Sequence, residues 1–146
     1  MNRYLNSASL AVALCSSAWW PGHALAAEGP FDGQWGVLLT CPDTQDKAGL
    51  VKGYEYKFVA TIQEGVLHAE YGAPGHPASV VYNGKVGPDG ALEIRAQGNT
   101  GRSDYSVGQV AQGTQYGYTL RGKLDQSRGE ATRIEIRPCT ATFSKR

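Results

Sequence analysis

Net charge is almost absent from this sequence, which carries 14 Lys and Arg against 13 Asp and Glu. There is no basic excess to meet a phosphate backbone and no acidic block to meet a cationic partner, which argues against nucleic acid as a partner. Histidine is scarce too. Beyond His23 there are only His68 and His76, with Glu64 and Glu70 as the nearest carboxylates, and that spacing matches no metal-ligand pattern. No cofactor motif is present. Ser103, Asp104 and Ser106 are close in sequence, but no Gly-x-Ser-x-Gly elbow accompanies them. Asp43 and Asp46 fall in a polar stretch where solvated charge is the ordinary state, and Gly87-Pro88-Asp89-Gly90 reads as a turn rather than a phosphate cradle. No set of residues meets the requirements of an active site, so the expectation is a protein that is not an enzyme.

A long apolar run is also missing. The one apolar stretch, Leu10 to Trp20, falls short of the roughly 20 residues that a membrane anchor needs. It follows Arg3, is broken by Pro21-Gly22, and precedes Ala24-Leu25-Ala26, a small-x-small pattern. Residues 1–26 therefore read as a secretory signal peptide, with cleavage before Ala27 and a single domain over 27–146. Leu14 is too large for a lipoprotein signal, so Cys15 reads as part of the leader, and no membrane association is expected after cleavage. Arg3 is the only charged residue of the leader, so removing it leaves no net charge. Cys41 and Cys139 are then the only cysteines left, one near each end of an exported chain, and the expectation is a disulfide between them.

Helical periodicity is the last absence. After the leader, apolar residues alternate with period two. Trp35, Val37 and Leu39 share one face of a first strand. Tyr54, Tyr56, Phe58, Ala60 and Ile62 do the same in a second, which Gln63-Glu64-Gly65 turns into Val66 to Tyr71. Ser79 to Val86 and Ala91 to Gln97 flank Pro88-Asp89-Gly90. Asp104 to Gln112 reads as a weak strand, Thr114 to Leu124 as a stronger one. Ala131 to Arg137 puts Thr132, Ile134 and Ile136 on one face, and Thr140 to Phe143 follows Pro138. About eight short strands with tight connections predict an all-β domain, an up-and-down antiparallel barrel or a sandwich. In a closed meander the first and last strands are neighbours, and the expected disulfide joins those two segments.

Tyrosine is the residue in good supply. Tyr56, Tyr71, Tyr82, Tyr116 and Tyr118 occupy alternating strand positions. Such rings either line a ligand cavity or simply fill a small barrel. The glycine-rich connection from Gly98 to Gly113, with Arg102, Asp104 and Tyr105, is a candidate recognition loop.

Gly33-Gln34-Trp35 resembles the Gly-x-Trp opening of calycin-type barrels, the lipocalins and avidins. The resemblance implies a tryptophan at the barrel end packed under a basic residue from a late strand, with Arg133 or Arg137 as candidates. The chain also resembles small exported bacterial proteins of unknown function that open with Asp-Gly-x-Trp and close with Arg-x-Cys, here Arg137-Pro138-Cys139. Taken together, these readings lead to an exported, periplasmic or secreted barrel that binds a small ligand. The alternative is a protein-binding module, such as a periplasmic inhibitor or envelope accessory protein.

Overall fold

The structure, a computed structural model, describes residues 28–135 and 137–146. The expected leader and its cleavage site lie outside the described residues, as does Ile136. Strand β1 (Gly33–Cys41) is followed by a small hairpin of β2 (Thr44–Asp46) and β3 (Gly49–Val51). Then come β4 (Tyr54–Gln63), β5 (Val66–Tyr71), β6 (Ser79–Val86), β7 (Ala91–Asn99), β8 (Gln115–Leu124), β9 (Arg128–Arg133) and β10 (Thr140–Lys145). All except β2 and β3 form one closed antiparallel barrel of eight strands, each paired with its neighbour in sequence. β1 closes the ring by pairing with β10, from Trp35 opposite Lys145 to Thr40 opposite Thr140. The barrel, not the sandwich, is therefore the architecture. Closure leaves the barrel itself without a free sheet edge.

The disulfide forms as expected. Cys41 and Cys139 are bonded across the β1–β10 seam with Cα atoms 4.3 Å apart. They are 98 residues apart in sequence, and the chain-entropy model allows such a closure about 4 to 5 kcal/mol of stabilisation.

One end of the barrel is a closed floor. The turn between β4 and β5 puts Glu64 at φ 51° and Gly65 at φ 75°, two left-handed residues that match the twist of a tight hairpin. Asp32 ties that turn to the start of β1, accepting the Glu64 N–H at 3.0 Å and that of Gly65 at 3.4 Å. Neighbouring floor turns also bond to one another: Val86 N–H to the Gly65 carbonyl, Leu124 N–H to Gly90, and Lys145 N–H to Ser127, each at 2.8 Å. Gly90 at φ 84° must be glycine, because a Cβ there would stand 2.1 Å from the Leu124 carbonyl. Trp35 is fully buried above this floor, its indole N–H donating to the Phe31 carbonyl at 2.8 Å. Leu39, Ile62, Leu67, Ile94 and Leu120 fill the barrel above it. The alternation read in β1 and β4 sets this inward face.

Three sequence readings need correction. The cation over Trp35 is neither Arg133 nor Arg137 but Lys145, whose Nζ lies 5.8 Å from the ring centroid. Register explains this: Lys145 pairs directly with Trp35 at the floor, whereas both arginines stand at the opposite end. Residues Asp104 to Gln112 do not form a strand. They make two short 3-10 turns, Ser103–Tyr105 and Val107–Gln109, because Gly108 and Gln109 both take positive φ, which extended backbone cannot. Finally, β9 starts at Arg128 and points Ala131 inward, while Ile134, past its end, is 54% exposed. Asp125 sets that start by accepting the Ser127 and Arg128 N–H groups, so the strand begins earlier and its faces are the reverse of those read from the sequence.

Candidate functional site

The end opposite the floor is a mouth containing a cavity of about 540 Å³. Its walls follow from strand alternation. Tyr54 and Tyr56 point in from β4, and Tyr116 and Tyr118 from β8. In the order β1-β10-β9-β8-β7-β6-β5-β4, strands β4 and β8 are four apart, on opposite sides of the ring. Two aromatic walls therefore face each other across the mouth. Tyr54 and Tyr56 are 4.7 Å apart between ring centroids, and Tyr116 lies parallel to Tyr118 at 5.9 Å.

Of the five tyrosines singled out in the sequence, Tyr56, Tyr116 and Tyr118 line the cavity, and Tyr71 and Tyr82 do not. Tyr71 stacks behind Tyr56 at 4.0 Å. Tyr82 is fully buried below, its hydroxyl 3.2 Å from that of Tyr118. The Tyr116 hydroxyl donates to the Ser79 carbonyl at 3.0 Å. Burial raises the pKa of Tyr54, pushes that of Tyr56 up to about 12, and raises those of Tyr116 and Tyr118 well above the usual tyrosine value. All four rings are neutral hydrogen-bonding groups at physiological pH.

A lid crosses the mouth. It consists of the Gly98 to Gly113 connection, and the β2–β3 hairpin holds it down. Asp46 accepts N–H bonds from Ala48 at 2.7 Å and from Gly108, while Gln109 Nε2 donates to the Ala48 carbonyl at 3.0 Å. Lys52 bonds Asp104 twice, backbone to backbone at 2.8 Å and through an ion pair at 2.9 Å. Asp104 also pairs with Arg102 at 2.8 Å. These contacts place Tyr105 over the cavity, with the Arg102 guanidinium 5.7 Å from its ring centroid.

Arg133 and Arg137 complete the walls. Arg137 is 2% exposed. One of its terminal nitrogens donates to the Tyr105 carbonyl at 2.7 Å; the other donates to the Pro42 carbonyl at 3.0 Å and to that of Lys52. It joins the lid, the end of the hairpin and the segment after β1. Its guanidinium lies 5.0 Å from the Tyr54 ring centroid, and burial lowers its pKa. Arg133, the last residue of β9, stacks on Tyr118 at 4.4 Å. Among the described residues, three buried side-chain polar atoms lack a partner: Asp104 Oδ1, Arg133 Nε and Arg137 Nε. Among the described residues no carboxylate lines the cavity. His68 is elsewhere, on the outer wall, bonded to Asn83 and Glu70.

The calycin resemblance offered Arg133 or Arg137 as the basic residue over Trp35, and neither was read as a cavity residue. Sequence reasoning also omitted Tyr54 and Tyr105 from the candidate ligand set. For Tyr54 a signal existed, since it shares an alternating face with Tyr56.

The fold and this site define a disulfide-closed, eight-stranded antiparallel barrel with a lidded mouth, an architecture consistent with the calycin-like reading. No protein-family model, no curated protein and no solved structure matches the chain.

Proposed function

We propose that this protein is an exported, non-enzymatic binder of a small ligand held in the barrel mouth. The observation that carries this reading is the lidded cavity of about 540 Å³ with tyrosine walls. Small-molecule sites are typically about 300 to 1,000 Å³, mostly apolar, with a few fixed polar groups. The Cys41–Cys139 bridge supports export, since such bonds persist in oxidising compartments. With the leader-like residues 1–26 and the resemblance to small exported bacterial proteins, it favours a periplasmic or secreted location.

The alternative, a protein-binding module, draws on three exposed apolar side chains around the mouth: Leu50, Val110 and Ile134. Native mass spectrometry of protein purified from its own compartment separates the two. The expected result is a small mass lost on unfolding. Adding that compound back should stabilise the fold by about 2.7 kcal/mol at a hundredfold excess over its dissociation constant. A bound polypeptide in place of a small mass would favour the alternative.

A further inference from the structure

We propose that the ligand is a flat aromatic carboxylate, clamped between the two tyrosine walls with its charge on Arg133 and Arg137. This rests on the small-ligand reading above and names the class of ligand.

The first argument is charge. Three guanidiniums line the cavity, and no carboxylate does among the described residues; Arg102 is paired with Asp104, which leaves Arg133 and Arg137. Nearby acids are already engaged. Asp104 is held by Lys52 and Arg102, Glu135 accepts the Thr119 N–H, and Asp43 accepts that of Gly53. Arg137 is satisfied at its terminal nitrogens by backbone carbonyls, which are neutral, so its positive charge is balanced only in part, by the nearby Asp43 carboxylate. Taking cations out of water without an anion is costly, and buried charges are normally paired. Both Nε atoms remain buried and unpartnered. Arg133, over the Tyr118 ring, keeps an N–H edge free in its own plane that matches a planar carboxylate, whereas Arg137, with its terminal nitrogens taken, offers only its Nε–H.

The second argument is shape. Arg137 stands on Tyr54 of one wall and Arg133 on Tyr118 of the opposite wall. The two walls are four strands apart in an eight-stranded ring, and Tyr105 lies above them in the lid. Ring faces on opposite walls favour a planar body in offset or edge-to-face contact over a flexible chain. The tyrosine hydroxyls stay protonated and do not repel an anion.

Isothermal titration of the oxidised protein with 2-naphthoate, 2-naphthamide and decanoate tests the proposal. The expected order is naphthoate tighter than naphthamide by roughly tenfold or more, the scale of one charge-assisted contact, and tighter than decanoate. Arg133→Gln should cut the preference for naphthoate over naphthamide to the smaller part that Arg137 supports while leaving the unfolding transition in place, and Arg133→Lys should restore some of the loss. Equal binding of naphthoate and naphthamide would overturn the charge argument and leave the small-ligand reading standing. Tighter binding of decanoate would overturn the planar body. No binding of any of the three at millimolar concentration would overturn this proposal, while the small-ligand reading falls only if native protein from its own compartment loses no small mass on unfolding.

Discussion

Replacing Arg137 and Arg133 by methionine, one at a time, should give opposite results although the two residues share one cavity. Arg137 donates to the carbonyls of Tyr105, Pro42 and Lys52. A buried acceptor left without its donor costs about 1 to 3 kcal/mol, and the low end applies here because water can enter from the mouth. Three such carbonyls amount to about 3 kcal/mol. Relief from holding a desolvated cation offsets about 1 kcal/mol of that. Arg137→Met should therefore lose about 2 kcal/mol, read in urea as a fall in midpoint of roughly 1 M at an ordinary slope. Amide exchange should accelerate first at Lys52, whose N–H bonds the lid at Asp104. Arg133 is different. Its Nε has no partner, and its described contact is the Tyr118 ring, worth about 0.5 to 1 kcal/mol, which a methionine sulfur largely replaces. Arg133→Met should change stability by less than about 0.5 kcal/mol. Equal losses for the two variants, or a larger loss for Arg133, would refute the division into a structural arginine and a free one.

Trp35→Ala should cost about 3 to 5 kcal/mol, the range for a buried aromatic; a loss below about 1 kcal/mol, or indole emission typical of water, would contradict its place above the floor. Acid should loosen the lid. The Gly108 and Ala48 N–H groups hold the Asp46 carboxyl below its usual pKa, and the Lys52 ammonium does the same for Asp104. A depressed folded pKa gives a contribution that is complete above the unfolded value near 4 and is lost as pH falls through the lower folded one. Amide protection at Gly108 should accordingly drop below about pH 4. Because Asp32, Asp125 and Glu135 are lowered as well, Asp46→Asn serves as the control: it should lack protection at Gly108 at neutral pH and show no further loss there in acid. Protection at Gly108 that persists in acid would refute the clasp.

Period-two alternation made the barrel legible, since Trp35, Val37 and Leu39, or Tyr54 to Ile62, announce which face is buried. Alternation fixes the face but not the height along the barrel axis. Tyr82 and Tyr118 look equivalent in sequence, yet one is sealed below the cavity and the other lines it. For the same reason nothing in the pattern could check the resemblance's choice of Arg133 or Arg137 for the place over Trp35, when both stand at the far end. The β2–β3 hairpin escaped notice because its stability rests on distant partners, Gly108 and Asp104, that no local pattern around Thr44 to Val51 announces.

The seam between β1 and β10 has a kinetic consequence. Every other ladder of the barrel joins strands close in sequence, with only the β2–β3 hairpin between β1 and β4, but this one, and the disulfide across it, must await nearly the whole domain. Loop-closure entropy is met there before any contact repays it, so the seam should close late. Until then β1 and β10 are open edges able to recruit another chain. Oxidation of Cys41 with Cys139 turns that reversible closure into a covalent one, and its rate is a direct clock for completion of the barrel.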